Sequence, residues 1–240
     1  CDEKPGKISD MFKALFKNDQ AMTVVVSIIL VYTSLNICGN LVLYFFRFDV
    51  GNEGAYSIFA AVAFAAQVLV MMVIPLLRKR FSKSQLFISG FIIQIAGFAV
   101  ILIMAFAKLY TPQSWYILCL PGILIYLGYG MLNVIMTIFL SDSVDYGEVM
   151  NGTREESVIF SMQTFTVKLA SGVAVFLAGL VVDWIHLDTA AAVQTQDTLD
   201  ALRMWMTIPS VILLIVGIFV FKRFYKLDDT RMKEIKSKLN

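Results

Sequence analysis

The sequence predicts an all-α membrane protein in which six transmembrane helices form one bundle. Three observations carry this. Of 240 residues, 58% are hydrophobic, against about 45–50% in soluble domains, and the mean hydropathy is +0.75. Six apolar runs, at about 21–46, 56–77, 86–107, 115–140, 157–185 and 204–224, each reach the roughly 20 residues needed to cross a hydrocarbon layer of about 30 Å. They are too long for core strands, and they lack the alternation over about ten residues that marks a membrane β-barrel. Finally, the charges between the runs are lopsided. Lys4, Lys7, Lys13 and Lys17 precede the first run, Arg78, Lys79, Arg80 and Lys83 follow the second, and Arg154 lies between the fourth and fifth. Seven more basic residues fall between Lys222 and Lys238, whereas the other side holds only Arg47, Lys108 and Arg203. The positive-inside rule then places both termini in the cytoplasm. These charges read as a topology signal, so no nucleic-acid partner is expected.

The chain divides into a cytoplasmic linker at 1–20, the bundle at 21–224 and a charged cytoplasmic tail at 225–240. In the linker, Ile8, Met11, Phe12, Leu15 and Phe16 fall on one helical face with Lys7, Lys13 and Lys17 off it. That pattern predicts an amphipathic helix, either on the membrane surface or packed on the protein. The chain opens on Cys1 rather than Met, as a piece of a longer protein would. Cys1, Cys38 and Cys119 show neither a disulfide framework nor metal spacing, and His186 ends the fifth run at an interface.

Span one is polar in its middle. Tyr32, Ser34, Asn36 and Asn40 recur at helical spacing, and Asn36 and Asn40 share a face. Amides are costly in lipid, so that face meets another helix or a watery cavity. Span two is alanine-rich, with Gln67 and a terminal Pro75, and span three carries Gln94 as its one amide and reads as structural. Span four combines Pro121, Gly122, Gly128 and Gly130 with Tyr126, Tyr129 and Asn133 at i, i+3 and i+7. This suits a cavity wall; an aromatic packing stripe is the other reading.

The stretch SDSVDYGEVMNGTREES, Ser141 to Ser157, then reads as an acidic link into span five. Span five places Gln163, Thr164 and Lys168 within a turn and a half, Thr164 and Lys168 on one face. A lysine this deep costs at least roughly 2.5 kcal/mol on insertion scales. It lies too far from either end to snorkel in comfort, and no span residue clearly neutralises it, so a partner carboxylate must come from elsewhere. The loop from Leu187 to Arg203 reads as a solvated connector. HExxH, GxSxG and paired aspartates within a span are all missing, which argues against an intramembrane enzyme. A non-transporting six-span scaffold or partner subunit is the alternative to a transporter.

Three features occur together: the D-x-x-D-Y-G-E stretch from Asp142 to Glu148, Arg154 with Glu155 and Glu156, and Q-T-x-x-x-K from Gln163 to Lys168. Together they resemble the glycoside–pentoside–hexuronide:cation symporters of the major facilitator superfamily, the group of the melibiose carrier. The resemblance covers nearly the whole chain. It implies a twelve-helix protein of two six-helix bundles, with this chain as the C-terminal bundle, helices VII to XII. It further implies cation-coupled uptake of a sugar, glycoside or uronate, with sodium or a proton as coupling ion, in a bacterial inner membrane. No other cofactor and no metal site in this half are implied. The cation site would lie mainly in the N-terminal bundle, a partner along with the solute and the lipid bilayer. Thr164 and Lys168 match positions facing the sugar and cation region. Asp142, Asp145, Glu148, Arg154 and Glu156, with Tyr146 inside the motif, match the cytoplasmic gate. Gln163, Asn133, Tyr129, Tyr126, Asn36 and Asn40 complete the expected substrate and ion-coupling face. Where the melibiose carrier has a tryptophan, this chain has Asn133, which leaves open which sugar-like solute is taken.

Overall fold

A computed structural model of the protein describes residues 16–152 and 154–239. Six long helices are present among them, each long and apolar enough to cross a membrane. Helix α1 (Asp19–Tyr44) continues into a π-helical turn, Phe45–Val50. It is followed by α2 (Ala55–Leu77) and α3 (Lys83–Phe106), then by a short 3-10 turn, Trp115–Leu118, that leads into α4 (Cys119–Asn151). Then come α5 (Glu156–Trp184), α6 (Gln196–Phe224) and a short α7 (Asp229–Leu239). The sequence-predicted amphipathic helix falls almost wholly outside the described residues; Phe16, its last apolar position, is exposed.

Local chemistry sets the helix ends. The Asn18 side chain accepts from the Ala21 N–H, with Asp19 in the first turn of α1, where a carboxylate complements the helix dipole. Ser82 and Gln85 form a reciprocal capping box at the start of α3. Thr195 caps α6 through the Thr198 N–H. Gly152, at φ 73, closes α4 in the left-handed conformation that glycine adopts at no steric cost.

Two of these ends differ from the sequence expectation. Helix α4 runs unbroken to Asn151, so Asp142, Asp145 and Glu148 ride on its last turns rather than on a link. No proline occurs between Ser141 and Gly152, and the helix carries Gly147 within it. Each three-residue step turns the acids by about 60° round the axis, so Asp142 and Glu148 look different ways. Helix α6 begins at Gln196, so the second half of the expected connector is helix, and Arg203 lies inside the protein, 2% exposed.

The helices pack as two sets, α1 with α5 and α6, and α4 with α2 and α3. These sets meet through α1 against α4 and α3 against α6. Phe87, Phe91, Phe139 and Phe221 interlock where α3, α4 and α6 converge. The outward sides of α2 and α5 expose Phe64, Leu69, Met72, Phe176 and Leu180, as lipid-facing surfaces do.

Helix α4 is approached closely by α3 because position 128 has no side chain. A Cβ on Gly128 would lie 2.6 Å from both the Gln94 nitrogen and the Gly90 carbonyl oxygen. Both are backbone atoms that cannot swing aside. Gly128→Val in the full-length protein is therefore expected to cost about 1–3 kcal/mol by overpacking. Gly172→Ala, where a Cβ meets nothing within 4 Å, should not lower stability, since alanine is the better helix former. Thermal unfolding in detergent separates the two; equal midpoints would contradict the close approach.

Candidate functional site

The polar residues of span one and span four meet halfway along the bundle. The Asn133 amide of α4 donates to the Tyr32 hydroxyl of α1 at 2.6 Å, and the Tyr32 and Tyr129 rings meet edge to face at 5.5 Å. Asn36 and Asn40 each donate to the backbone carbonyl one turn back, Tyr32 and Asn36 respectively, at 2.7 Å. From α5 the Ser171 hydroxyl donates to the Asn36 side-chain oxygen at 3.4 Å. Tyr126 is half-buried one turn before Gly130 and packs against the core.

The remaining span-five residues lie on the outer part of this face. Gln163 is half-buried, whereas Thr164 and Lys168 are exposed. Thr164 donates to the Phe160 carbonyl at 3.3 Å. Helical spacing sets Thr164, Lys168 and Ser171 on one side of α5, and Ser171 ties that side to Asn36. Lys168 makes no ion pair with any described residue. Sequence reasoning singled out Asn36, Asn133 and Lys168 but passed over Ser171, whose i+3 offset from Lys168 was the available signal, and left Tyr32 out of the expected site.

At the end of the bundle that carries both the α2–α3 loop and α7, two ion-pair groups form. In the first, the buried Lys83 ammonium pairs with Asp142 of α4, and also sits 3.5 Å from Asp229 of α7. Arg78 reaches Asp229 at 3.4 Å. Partial burial alone would raise the Asp229 carboxyl. The Lys83 ammonium and the Arg78 guanidinium outweigh it and hold the group below the usual carboxylate range. In the second, exposed group, Arg154 spans Glu148 at 2.8 Å, Asp145 at 3.1 Å and Glu156 at 3.1 Å. The carboxylates of Glu148, Glu156 and Asp145 shift its guanidinium pKa further upward. Lys236 approaches Asp145 at 3.8 Å. Tyr146 packs with the buried Leu227, Met232 and Ile235, which seat α7. The expected cluster thus separates: Asp142 faces the Arg78–Lys83 loop, while Asp145 and Glu148 face Arg154.

The opposite end holds a network that sequence reasoning missed. Asp49, presented by the π-helical turn, accepts from Arg203 Nε at 2.8 Å and from the Tyr110 hydroxyl at 2.6 Å. Arg203 also donates to Asp200 at 2.7 Å and lies over the Phe106 ring, 5.7 Å from its centroid. Burial, reinforced by the Asp49 carboxylate, pushes the Tyr110 phenol pKa up. A carboxylate between Phe48 and Val50, just past the first apolar run, was the available signal.

Among the described residues, no group of His, Cys, Asp and Glu is arranged to hold a metal ion. Residues 2–229 match the family described as MFS/sugar transport protein. The chain is 25% identical to the uncharacterized symporter YjmB of Bacillus subtilis (strain 168) over 95% of its length and 48% of the relative's. It is 23% identical to the raffinose carrier protein of Pediococcus pentosaceus over 97% of its length and 35% of the carrier's. With the isoprimeverose transporter of Lactiplantibacillus pentosus the identity is 25%, over 96% and 47%. The chain therefore spans about half, or less, of the length of these relatives. These matches bear out the likeness read from the acidic motif and from Q-T-x-x-x-K. The protein is a multi-pass membrane protein of a transporter family rather than an enzyme, and it belongs to the MFS/sugar transport protein family.

Proposed function

We propose that this chain is one six-helix half of a symporter that couples uptake of a sugar, glycoside or uronate to inward movement of sodium or a proton by alternating access. The observation that supports the reading best is the mid-bundle polar face, where the Tyr32–Asn133 pair and Asn36 are tied through Ser171 to the side of α5 that carries Lys168, exposed and without an ion pair among the described residues. The buried cations of this bundle, Lys83 and Arg203, are held by carboxylates, whereas Lys168 is exposed and pairs with no described carboxylate, so packing within this bundle does not account for it. The names of the relatives, a symporter, a raffinose carrier and an isoprimeverose transporter, support the solute class. Their greater length leaves room for a second six-helix half. That half would supply the far wall of the cavity, most of the cation site and the carboxylate that Lys168 lacks.

In this reading the basic end faces the cytoplasm of a bacterial inner membrane. Lys83–Asp142–Asp229 and the Arg154 group then belong to the inner gate, open when the solute is released. Gln163, Thr164, Tyr126, Tyr129 and Asn40 shape the solute face around Lys168.

Lys168→Ala in the full-length protein is expected to lower sodium- or proton-driven sugar uptake roughly ten- to a hundredfold, the scale of one lost charge-assisted contact. Uptake of a sugar panel with and without sodium, and across a proton gradient, reads the effect. Unchanged coupled uptake would remove Lys168 from the mechanism.

A further inference from the structure

We propose that the basic hollow between the α2–α3 loop and α7 is a binding site for the phosphate of an anionic phospholipid. The hollow has a volume of about 530 Å³. Its cations outnumber its two carboxylates, Asp142 and Asp229, and those two are already engaged by Lys83 and Arg78. Lys79, Arg80 and Lys233 are exposed on its rim and pair with no carboxylate among the described residues. Three uncompensated cations around one concavity form an electrostatic site for a phosphate.

Position argues for lipid as its source. The rim stands where membrane-spanning α2 and α3 reach their ends, the level at which headgroups lie. On the same border Phe81 is 47% exposed and Leu76 60% exposed, which gives an acyl chain an apolar track leading away from the charges. A soluble anion would use the cations and leave these side chains bare. A phospholipid uses both. Seated there, it would bridge the α2–α3 loop to α7, the two elements that also hold Lys83 and Asp229.

The site is tested by binding, so it can fail or hold independently of the transport reading, which supplies only the leaflet. Delipidated full-length protein is titrated with phosphatidylglycerol and with phosphatidylcholine of the same acyl chains, and bound lipid is counted by native mass spectrometry. Phosphatidylglycerol is expected to be preferred. Lys79→Gln/Arg80→Gln/Lys233→Gln should weaken it by roughly fivefold per cation removed, about a hundredfold for all three. Arg80→Lys, which keeps the charge, should bind within about twofold of the unaltered protein and show that the triple change acts through charge. Millimolar inorganic phosphate should not displace the lipid. Equal binding of the two lipids, a triple variant that keeps the preference, or full displacement by inorganic phosphate would each overturn the proposal.

Discussion

Arg203→Met in the full-length protein is expected to lower the unfolding free energy by about 3–5 kcal/mol, because it strands the Asp49 carboxylate in a buried site. The side chains of Arg203 and Asp49 are 3% and 4% exposed. Tyr110 remains as a neutral donor to Asp49, so part of the hydrogen bonding survives, but the neutralising charge does not. Arg203→Met/Asp49→Leu removes both charges and should recover most of the loss, since replacing a buried pair by apolar groups is often neutral. Differential scanning of the three proteins in one detergent reads the cycle. A double variant no better than the single one would mean that the network shapes the fold by more than charge balance.

The second large effect is expected at the basic end. Lys83→Met leaves Asp142 buried, 5% exposed, without its ammonium, and also withdraws one of the two cations that hold Asp229. The destabilisation should again be about 3–5 kcal/mol, with Lys83→Met/Asp142→Leu restoring most of it. Arg78→Gln, which removes only the Arg78–Asp229 pair, should do less, because both partners are partly open to water. If Lys83→Met and Arg78→Gln shift the thermal midpoint equally, Asp142 does not depend on Lys83.

How much of this the sequence disclosed depends on how local each signal was. The six spans were legible because a run of about 20 apolar residues answers directly to bilayer thickness. Lys168 was legible because a lone cation in such a run needs a reason. Partner choice was not. Asp49 and Arg203 stand 154 positions apart, and Arg203 sat among polar, acidic residues where a solvent-facing arginine is ordinary. Lys83 was one of four basic residues in a loop, and nothing in RKRFSKSQ distinguishes the one that turns inward to Asp142, 59 positions away. The helical run of α4 through Asp142, Asp145 and Glu148 was hidden by polarity. An acidic stretch between two apolar ones, with Gly147 inside it, reads as a connector until the lack of a proline before Gly152 is given weight. Tyr32 was noted in the polar series of span one but left out of the site, and Ser171 was passed over, because a hydroxyl in a membrane helix is commonplace and only its neighbour across the interface gives it meaning.

The π-helical turn at the end of α1, Phe45–Val50, decides where Asp49 points. An α-helix rotates about 100° per residue. A π turn takes more residues to come round, so side chains toward its end, Asp49 among them, fall progressively behind a straight continuation. Had α1 kept its pitch, the carboxylate would have swung roughly a quarter turn around the axis, away from Arg203. The widened turn thus works like a vernier, converting one surplus residue into a heading. That heading brings Asp49 to Arg203 and fastens the end of α1 to the start of α6.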